Sequence, residues 1–153
     1  MRFYFDACCL NRLTDDHGQQ RIRNEAEAIE TLLGVAAADP NIWVGSEALD
    51  AEIARNPHSE RREDAEALLT FAKQTIRLDA VIIDRARELQ SLGFSAFDAM
   101  HLACAENGAV EVFLTTDDRL VRRAAHHSDK LKLRVLNPLS FLEELENAGA
   151  TND

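Results

Sequence analysis

Acidic residues follow three short apolar segments of the sequence, at the point where each segment ends. They are Asp6, Glu47 and Asp117, and they lie far apart along the chain. Two carboxylates about 4 Å apart repel each other by roughly 4 kcal/mol at an effective dielectric constant of about 20, so a cluster of them needs cations or protons. Mg²⁺ prefers oxygen ligands and keeps water molecules that phosphate groups can replace. If the segments are neighbouring strands, the pattern predicts a divalent metal site suited to hydrolysis of phosphodiester bonds.

The helix after the second segment carries two glutamates that compete for the role of metal ligand. Leu49 and Ile53 mark the buried face of this helix, because successive residues are rotated by about 100°. On that geometry Glu52 lies about 80° from the centre of the buried face and Glu47 about 140° from it. A ligand at the rim of the core should flank the apolar stripe. We therefore expect Glu52 to be the inner ligand and Glu47 an outer one.

Each candidate acid also has a purely structural interpretation. Asp6 and Asp117 suit the N-cap position of a helix, where a carboxylate accepts hydrogen bonds from free backbone amides. Ser95 and Asp98 have the spacing of a capping box, in which two side chains satisfy the first turn of a helix. The functional interpretation instead places Asp98 at the rim of the sheet beside the other acids. Spacing alone leaves both interpretations open.

Hydrophobic periodicity predicts alternating strands and helices that would position these acids. The predicted strands are residues 2–5, 42–45, 75–78, 111–115 and 131–136. The predicted helices are residues 19–38, a helix capped at residue 46 and ending near 55, residues 59–73, a helix ending near 92, and residues 96–107, 117–126 and 138–146. Strands separated by helices indicate an α/β fold with a parallel sheet covered on both faces. Ligands of such sheets bind outside the carboxyl ends of the strands, where the acids lie.

Length and composition fit one globular domain. The 153 residues are 46% hydrophobic and 29% charged, and no apolar run approaches the roughly 18 residues that a membrane span needs. We expect residues 1–146 to form one domain and residues 147–153, which are small and polar, to fray. The N-terminus lacks the basic and apolar regions of a secretory signal, and the three cysteines have no disulfide spacing. We therefore expect a cytoplasmic protein.

The formal net charge of −10 argues against a protein that tracks nucleic acid with a uniformly basic surface. A metal-dependent enzyme is still compatible with this charge, because a carboxylate cluster adds negative charge that bound cations neutralise. Segment 119–134 is basic by contrast, and its residues Arg119, Arg122 and Arg123 are candidates for contacts with phosphates. A solvated basic helix is the alternative interpretation.

Five motifs, in order along nearly the whole chain, resemble those of the PIN-domain family. They are Tyr4-Phe5-Asp6, Ser46-Glu47-Ala48-Leu49-Asp50-Ala51-Glu52-Ile53, Phe97-Asp98-Ala99-Met100-His101-Leu102-Ala103, Leu114-Thr115-Thr116-Asp117 and Asn137-Pro138-Leu139-Ser140-Phe141-Leu142. The resemblance implies a three-layer α/β/α sandwich with a central parallel sheet. It also implies cleavage of RNA that depends on Mg²⁺ or Mn²⁺. Many bacterial members of the family are VapC-like toxins of toxin–antitoxin pairs.

The resemblance assigns roles to particular residues. It implies that one acidic quartet both binds metal and is catalytic: Asp6, Glu52, Asp98 and Asp117. It also suggests that the hydroxyl of Thr115 orients Asp6 and that Asn11 is a nearby polar contact. In this mechanism a water activated by one or two divalent ions attacks phosphorus in line. The expected partners are an RNA substrate, which the arginines of segment 119–134 would bind, a cognate antitoxin protein and a second copy in a homodimer.

Other functions and other residues have simpler interpretations. A phosphatase of the haloacid-dehalogenase kind needs a second acid two residues after Asp6, but Cys8 stands there. A receiver domain would need a lysine after a later strand, and no suitable one is present. A non-catalytic PIN-like module that binds a partner protein stays open. His101 is expected to pack between helices, because a site of hard oxygen ligands has little use for imidazole. Trp43 and Phe71 are expected in the core.

Overall fold

The fold is a central parallel sheet between two sets of helices. The computed structural model describes the backbone of residues 1–151 and the side chains of residues 1–149. Its strands are Phe3–Phe5 (β1), Val44–Ser46 (β2), Gln74–Ile76 (β3), Val112–Leu114 (β4) and Arg134–Leu136 (β5). All five correspond to strands predicted from the sequence, because each predicted segment is short and largely apolar.

Every strand pairing is parallel. The strand β4 lies between β1 and β5, and β2 pairs with β3. A β-bridge between Phe3 and Trp43 joins these two groups of strands, and the amide of Phe3 donates a 2.8 Å hydrogen bond to the carbonyl of Ile42. Read across this bridge, the strand order is β3-β2-β1-β4-β5. The carboxyl ends of all five strands therefore lie at one edge of the sheet.

Eight α-helices connect and cover the strands among the described residues. They are Ala7–Arg12 (α1), Gln20–Ala38 (α2), Glu47–Ala54 (α3), Ser59–Leu69 (α4), Ala80–Ser91 (α5), Ala96–Asn107 (α6), Asp118–His126 (α7) and Pro138–Thr151 (α8). The predicted caps are present: the Ser46 hydroxyl accepts from the amide of Leu49 at 3.0 Å, and the Ser95 hydroxyl accepts from the amide of Asp98 at 3.2 Å.

Side chains of β1 alternate between the two faces of the sheet, which shows the layers directly. The ring centroids of Phe3 and Phe5 are 5.2 Å apart, and those of Phe3 and Phe141 of α8 are 5.9 Å apart. Tyr4 points to the other face, where its ring lies 5.8 Å from that of His101 on α6. Helix α2 packs against α8, and α5 packs against α6. The sheet thus has helices on both faces, as the sequence predicts.

Three helices differ from the prediction, and β5 begins at Arg134 rather than at residue 131. Helix α1 was not predicted, because six residues are too few to show helical periodicity. Helix α4 ends at Leu69 rather than near residue 73, and Phe71 beyond it is 62% exposed, so its predicted place in the core is wrong; Trp43 is buried as predicted. The last helix passes residue 146 and reaches Thr151. The predicted frayed tail is therefore helical through residue 151, and residues 152–153 lie outside the described residues.

Within the described part of the chain, no helix is both long enough and apolar enough to span a membrane.

Candidate metal centre

Asp6 is the residue around which the site is built. It follows β1 directly and is only 6% exposed. Its Oδ1 accepts a 2.8 Å hydrogen bond from the amide of Ala7, and its Oδ2 accepts a 2.9 Å hydrogen bond from the hydroxyl of Thr115. Burial raises the pKa of Asp6; the charge of His101 lowers this pKa and that of Glu52 raises it further. A buried carboxylate with this environment favours a proton or a cation.

Glu52 comes from the other half of the sheet and meets Asp6 at the rim. It lies on α3, which follows β2, and its side chain is 32% exposed. Its Oε2 is 3.0 Å from Nε2 of His101. One ligand atom from each of Asp6, Glu52 and His101 lies within 4.8 Å of the other two, close enough to contact one ion.

His101 is fully buried beneath this pair of carboxylates. Its Nδ1 lies 2.7 Å from the hydroxyl of Tyr4, which in turn lies 2.6 Å from the hydroxyl of Ser46. Burial lowers the pKa of His101, but the hydrogen bond to Glu52 and the charge of Asp6 outweigh that effect and raise it. Desolvation raises the pKa of Tyr4 well above its usual value, so its phenol stays protonated.

Asp98 shares the electrostatic environment of Asp6. It stands in the first turn of α6 and is half-buried. Burial raises the pKa of Asp98, and the charges of Asp6 and Asp117 raise it further, while the Ser95 hydroxyl lowers it. Its backbone amide donates a hydrogen bond to the hydroxyl of Ser95, so the serine half of the predicted capping box is present. Among the described residues, its carboxylate oxygens do not belong to the 4.8 Å group of Asp6, Glu52 and His101.

Asp117 is the exposed member of the predicted quartet. Its Oδ1 accepts hydrogen bonds of 2.9 and 3.4 Å from the amides of Arg119 and Leu120, so it caps α7. Its own amide donates a 3.1 Å hydrogen bond to the hydroxyl of Thr115. Thr115 thus connects Asp117 to Asp6, although the Asp117 carboxylate is also outside the 4.8 Å group in the described part of the chain.

Two predicted site residues lie elsewhere. Glu47 is exposed, and its charge raises the pKa of Asp50 and of Cys104. Asn11 contacts the structure through its backbone carbonyl, which accepts a 2.9 Å hydrogen bond from Arg61 of α4. Its side-chain oxygen is buried and has no hydrogen-bond partner among the described residues. Among the described residues, Glu47 does not belong to the group around Asp6, and Asn11 forms no hydrogen bond with Asp6.

Sequence reasoning missed four side chains that the structure brings to the site. Tyr4, Ser46 and His101 form the hydrogen-bonded set described above. Cys8 places its Sγ 3.4 Å from Oδ2 of Asp6 and 3.3 Å from Oγ1 of Thr115. Their positions in the sequence could have indicated this role, because each of the four lies within the motifs around Asp6, Glu52 and Asp98 or directly beside them.

The basic residues of α7 form an exposed surface beside the acids. Arg119, Arg122 and Arg123 line a shallow groove together with His126 and His127. Within the described residues, none of these three arginines is in an ion pair closer than 4.0 Å. The guanidinium of Arg123 lies over Gly93, whose φ of +104° and missing Cβ leave room for it. Because Asp117 caps this helix, the cationic groove begins two residues after Asp117.

The donors present fit a hard divalent cation. Asp6 and Glu52 contribute carboxylate oxygens from two elements. Asp98 adds negative charge nearby, because the charges of Asp6 and Asp117 both raise its pKa. Mg²⁺ and Mn²⁺ prefer such oxygen donors. The raised pKa of Asp6 shows that the folded chain holds this charge at a disadvantage that a cation would relieve.

Comparison with known proteins agrees with this architecture. The sequence model of the family described as "PIN domain" matches residues 3–126. A search of functionally curated proteins finds no match.

Two solved structures share the fold. A crystal structure of FitAcB from Neisseria gonorrhoeae is 14% identical, with a TM-score of 0.58, and the alignment covers 89% of this chain and 97% of that one. A crystal structure of VapBC2 from Rickettsia felis, bound to a DNA fragment from its promoter, is 11% identical, with a TM-score of 0.59, and the alignment covers 90% and 98%. The identities are low, so the likeness concerns the fold.

Proposed function

The chain belongs to the PIN domain family, and on that premise we propose that it is an endoribonuclease that depends on Mg²⁺ or Mn²⁺. Asp6, Glu52, Asp98 and Asp117 would hold the ion or ions. The observation that carries the proposal is the approach of Asp6 and Glu52, from different parts of the sheet, to within the reach of one ion. When bound, a divalent cation supplies activation of the attacking water and stabilisation of charge on the phosphate oxygens.

The residues of the chain supply orientation for this chemistry. Thr115 fixes Oδ2 of Asp6 and the amide of Ala7 fixes Oδ1, so the carboxylate has one defined direction. His101 fixes one oxygen of Glu52. Such preorganised groups stabilise a transition state without rearranging during the reaction.

The exposed arginines of α7 support RNA as the substrate. Arg119, Arg122 and Arg123 present positive charge beside the acids in a protein whose net charge is −10. Cationic side chains bind the phosphates of RNA whatever its base sequence, and they position the RNA strand for cleavage.

We further propose that the protein is a cytoplasmic toxin that forms a homodimer and is inhibited by a cognate antitoxin. Support comes from two proteins of similar fold, FitAcB and VapBC2, the second of which was solved with a DNA fragment from its promoter. Expression of the chain should arrest growth, and Asp6→Asn should restore it. A protein that leaves growth unchanged while cleaving RNA would contradict the toxin role alone.

The nuclease proposal is tested by cleavage of a fluorogenic single-stranded RNA. Cleavage should require Mg²⁺ or Mn²⁺ and stop in EDTA. The substitution Asp6→Asn should lower the rate by at least about 100-fold, the scale on which one electrostatic contribution to catalysis acts. Asp64→Asn, the same change at an exposed position of α4, is the control. A wild-type protein that binds Mn²⁺ and cleaves neither RNA nor DNA would instead be the non-catalytic binding module.

A further inference from the structure

A buried hydrogen-bonded series of side chains, Ser46–Tyr4–His101, ends on the carboxylate of Glu52. The Ser46 hydroxyl accepts from the amide of Leu49 at 3.0 Å as the N-cap of α3. Its distances onward are 2.6 Å to the Tyr4 hydroxyl, then 2.7 Å from Tyr4 to Nδ1 of His101. The last step is 3.0 Å from Nε2 to Oε2 of Glu52.

When the ring of His101 is neutral, its contact with Glu52 determines the direction of every hydrogen bond in the series. An ionised carboxylate only accepts hydrogen bonds, so Nε2 of His101 must carry the hydrogen that faces Glu52. In the neutral ring the other nitrogen is then an acceptor. While the ring is neutral, the Tyr4 hydroxyl therefore donates to Nδ1, and its oxygen accepts from Ser46. The backbone amide of Leu49 completes the set, because it occupies a lone pair of the Ser46 oxygen.

We propose that Ser46, Tyr4 and His101 act as positioning residues that fix the carboxylate of Glu52 for a divalent cation. The inference rests on the proposed metal-dependent function. His101 binds one oxygen of Glu52, and the other oxygen has no hydrogen-bond partner among the described residues. The free oxygen is the one available to the ion that Asp6 would share.

The positions of Ser46, Tyr4 and His101 in the fold explain how this hydrogen-bonded series orients Glu52. Tyr4 is two residues before Asp6 on β1, Ser46 caps the helix that carries Glu52, and His101 is one turn after Asp98. The hydrogen-bonded series therefore connects three of the four elements that carry the acids of the quartet, all except α7 with Asp117. Outer hydrogen-bond partners of metal ligands typically change metal affinity or activity by about 10- to 100-fold when removed.

The first experiment reads the tautomer of His101 in the metal-free protein. The ¹⁵N shifts of its ring nitrogens, measured in alkaline solution where the ring is neutral, should show a hydrogen on Nε2. Tyr4→Phe removes the donor to Nδ1 and should shift both nitrogens. A hydrogen on Nδ1 in the wild-type protein would overturn the proposal.

The second experiment measures Mn²⁺ affinity by electron paramagnetic resonance on folded variants. His101→Leu removes the donor to Glu52 and should weaken Mn²⁺ binding by about 10- to 100-fold. His101→Gln places an amide donor near the position of Nε2 and should restore most of the affinity. Tyr4→Phe, which keeps the buried ring, should fall between them and serves if His101→Leu does not fold.

Packing and positioning are separated by a matched control. The ring of Phe113 stacks on Tyr4 at 5.1 Å without joining the hydrogen-bond chain. Phe113→Leu should lower the melting temperature while leaving Mn²⁺ affinity unchanged. An equal loss of affinity in Phe113→Leu and His101→Leu would reduce His101 to a packing residue.

The remaining outcomes distinguish this inference from the proposed function. A wild-type protein that binds no Mn²⁺ contradicts the proposed function itself. Wild-type binding that is unchanged in His101→Leu contradicts only the positioning role. A nitrogen coupling to bound Mn²⁺ that disappears in His101→Gln would make His101 a direct ligand and overturn the role proposed here.

Discussion

The hydroxyl of Thr115 donates a 2.9 Å hydrogen bond to Oδ2 of Asp6 across the boundary between β4 and β1. Oγ1 of Thr115 in turn accepts a 3.1 Å hydrogen bond from the amide of Asp117. One fully buried hydroxyl thus fixes both the most buried and the most exposed acid of the candidate site. The contact that the resemblance implied for Thr115 is present, and the structure adds the second one.

Thr115→Val tests this connection with little change in shape. The variant leaves Oδ2 of Asp6 without its best donor, so Mn²⁺ affinity should fall by about 10- to 100-fold. Thr116→Val is the control, because Thr116 is also buried but its hydroxyl makes no hydrogen bond within the described residues. Equal Mn²⁺ affinities in the two variants, measured by electron paramagnetic resonance, would show that the hydroxyl is not needed.

The two glutamates of α3 give a second prediction. Glu52→Gln should remove the rise in melting temperature that Mn²⁺ produces, because a ligand that binds only the native state stabilises that state. Glu47→Gln should keep this rise, since Glu47 is exposed and its charge acts on Asp50. Thermal unfolding with and without Mn²⁺ is the measurement. A larger loss of the Mn²⁺-dependent rise in Glu47→Gln than in Glu52→Gln would mean that Glu47, not Glu52, is the ligand.

The pH dependence of the metal-free protein follows from two raised pKa values. Burial raises the pKa of Asp6 and of Asp98 above their unfolded values, so the folded state binds these protons more tightly. The resulting stability is complete below the unfolded pKa, about 4, and is lost as the pH rises through the folded pKa values. Charged groups that act on Asp6 include His101, which lowers its pKa, and Glu52, which raises it; Asp98 and Asp6 also interact through their charges.

Asp6→Asn should therefore stabilise the metal-free protein at neutral pH and have less effect in acid. Chemical unfolding in EDTA across this pH range measures the difference. Asp118→Asn is the control of opposite sign, since Arg21 lowers the pKa of exposed Asp118, and stability from that group is lost as the pH falls. A stability difference between Asp6→Asn and wild type that does not vary with pH would contradict the assignment.

The arginines of α7 should bind the RNA backbone without regard to sequence. Reversing the charge of Arg122 and Arg123 to Glu should weaken binding of single-stranded RNA and flatten its salt dependence by a slope of about 0.7 per lost contact. The double variant Arg77→Glu with Arg87→Glu has the same net charge but changes exposed residues elsewhere. Identical salt slopes for the two double variants, in fluorescence anisotropy, would leave the groove as a solvated surface.

A buried carboxylate away from the candidate site should control stability. Glu25 of α2 is completely buried and lies between Arg12 at 3.2 Å, Arg21 at 3.3 Å and the amide of Asn137 at 2.6 Å. The Arg12 contact is an ion pair without hydrogen-bond alignment. Arg12→Met should lower the free energy of unfolding by about 3 kcal/mol, the lower end of what breaking a buried ion pair costs.

The control for this variant is an exposed ion pair. Arg87→Met breaks the 3.5 Å contact with Asp84 on α5, and its cost should be about 0.5 kcal/mol or less, because exposed pairs contribute little. Denaturant titration gives both values. Similar losses in the two variants would mean that Arg21 and Asn137 are sufficient for Glu25.

The sequence predicted the sheet well because β1 and β4 are apolar runs that end at a polar residue, and helical segments separate the remaining strands. It was less informative wherever a side chain has two roles. Asp6 ends β1 and also caps α1, a helix too short for its periodicity to show. Asp117 likewise caps α7. Spacing could raise these alternatives but could not choose between them, because both use the same carboxylate.

His101 shows a different limit. The sequence places it one turn after Asp98, and packing between helices was expected because a site of oxygen ligands has little use for imidazole; the structure instead places its two ring nitrogens against Tyr4 and Glu52. Its partners Tyr4 and Glu52 are 97 and 49 residues away, and no local pattern links positions so distant. Only the pairing of β1 with its neighbours and the direction of α3 bring their polar atoms to the two ring nitrogens.

The boundary between the two groups of strands lies between the two main acids of the site. Asp6 follows β1 of the group β1-β4-β5, and Glu52 lies on the helix after β2 of the group β2-β3. The Phe3–Trp43 bridge and the hydrogen bond from the Phe3 amide to the Ile42 carbonyl join the two groups. An ion held by both carboxylates is a cross-link across that boundary. Local opening along the boundary would then require the ion to leave first, so its residence time limits how often the backbone there exchanges hydrogens with solvent.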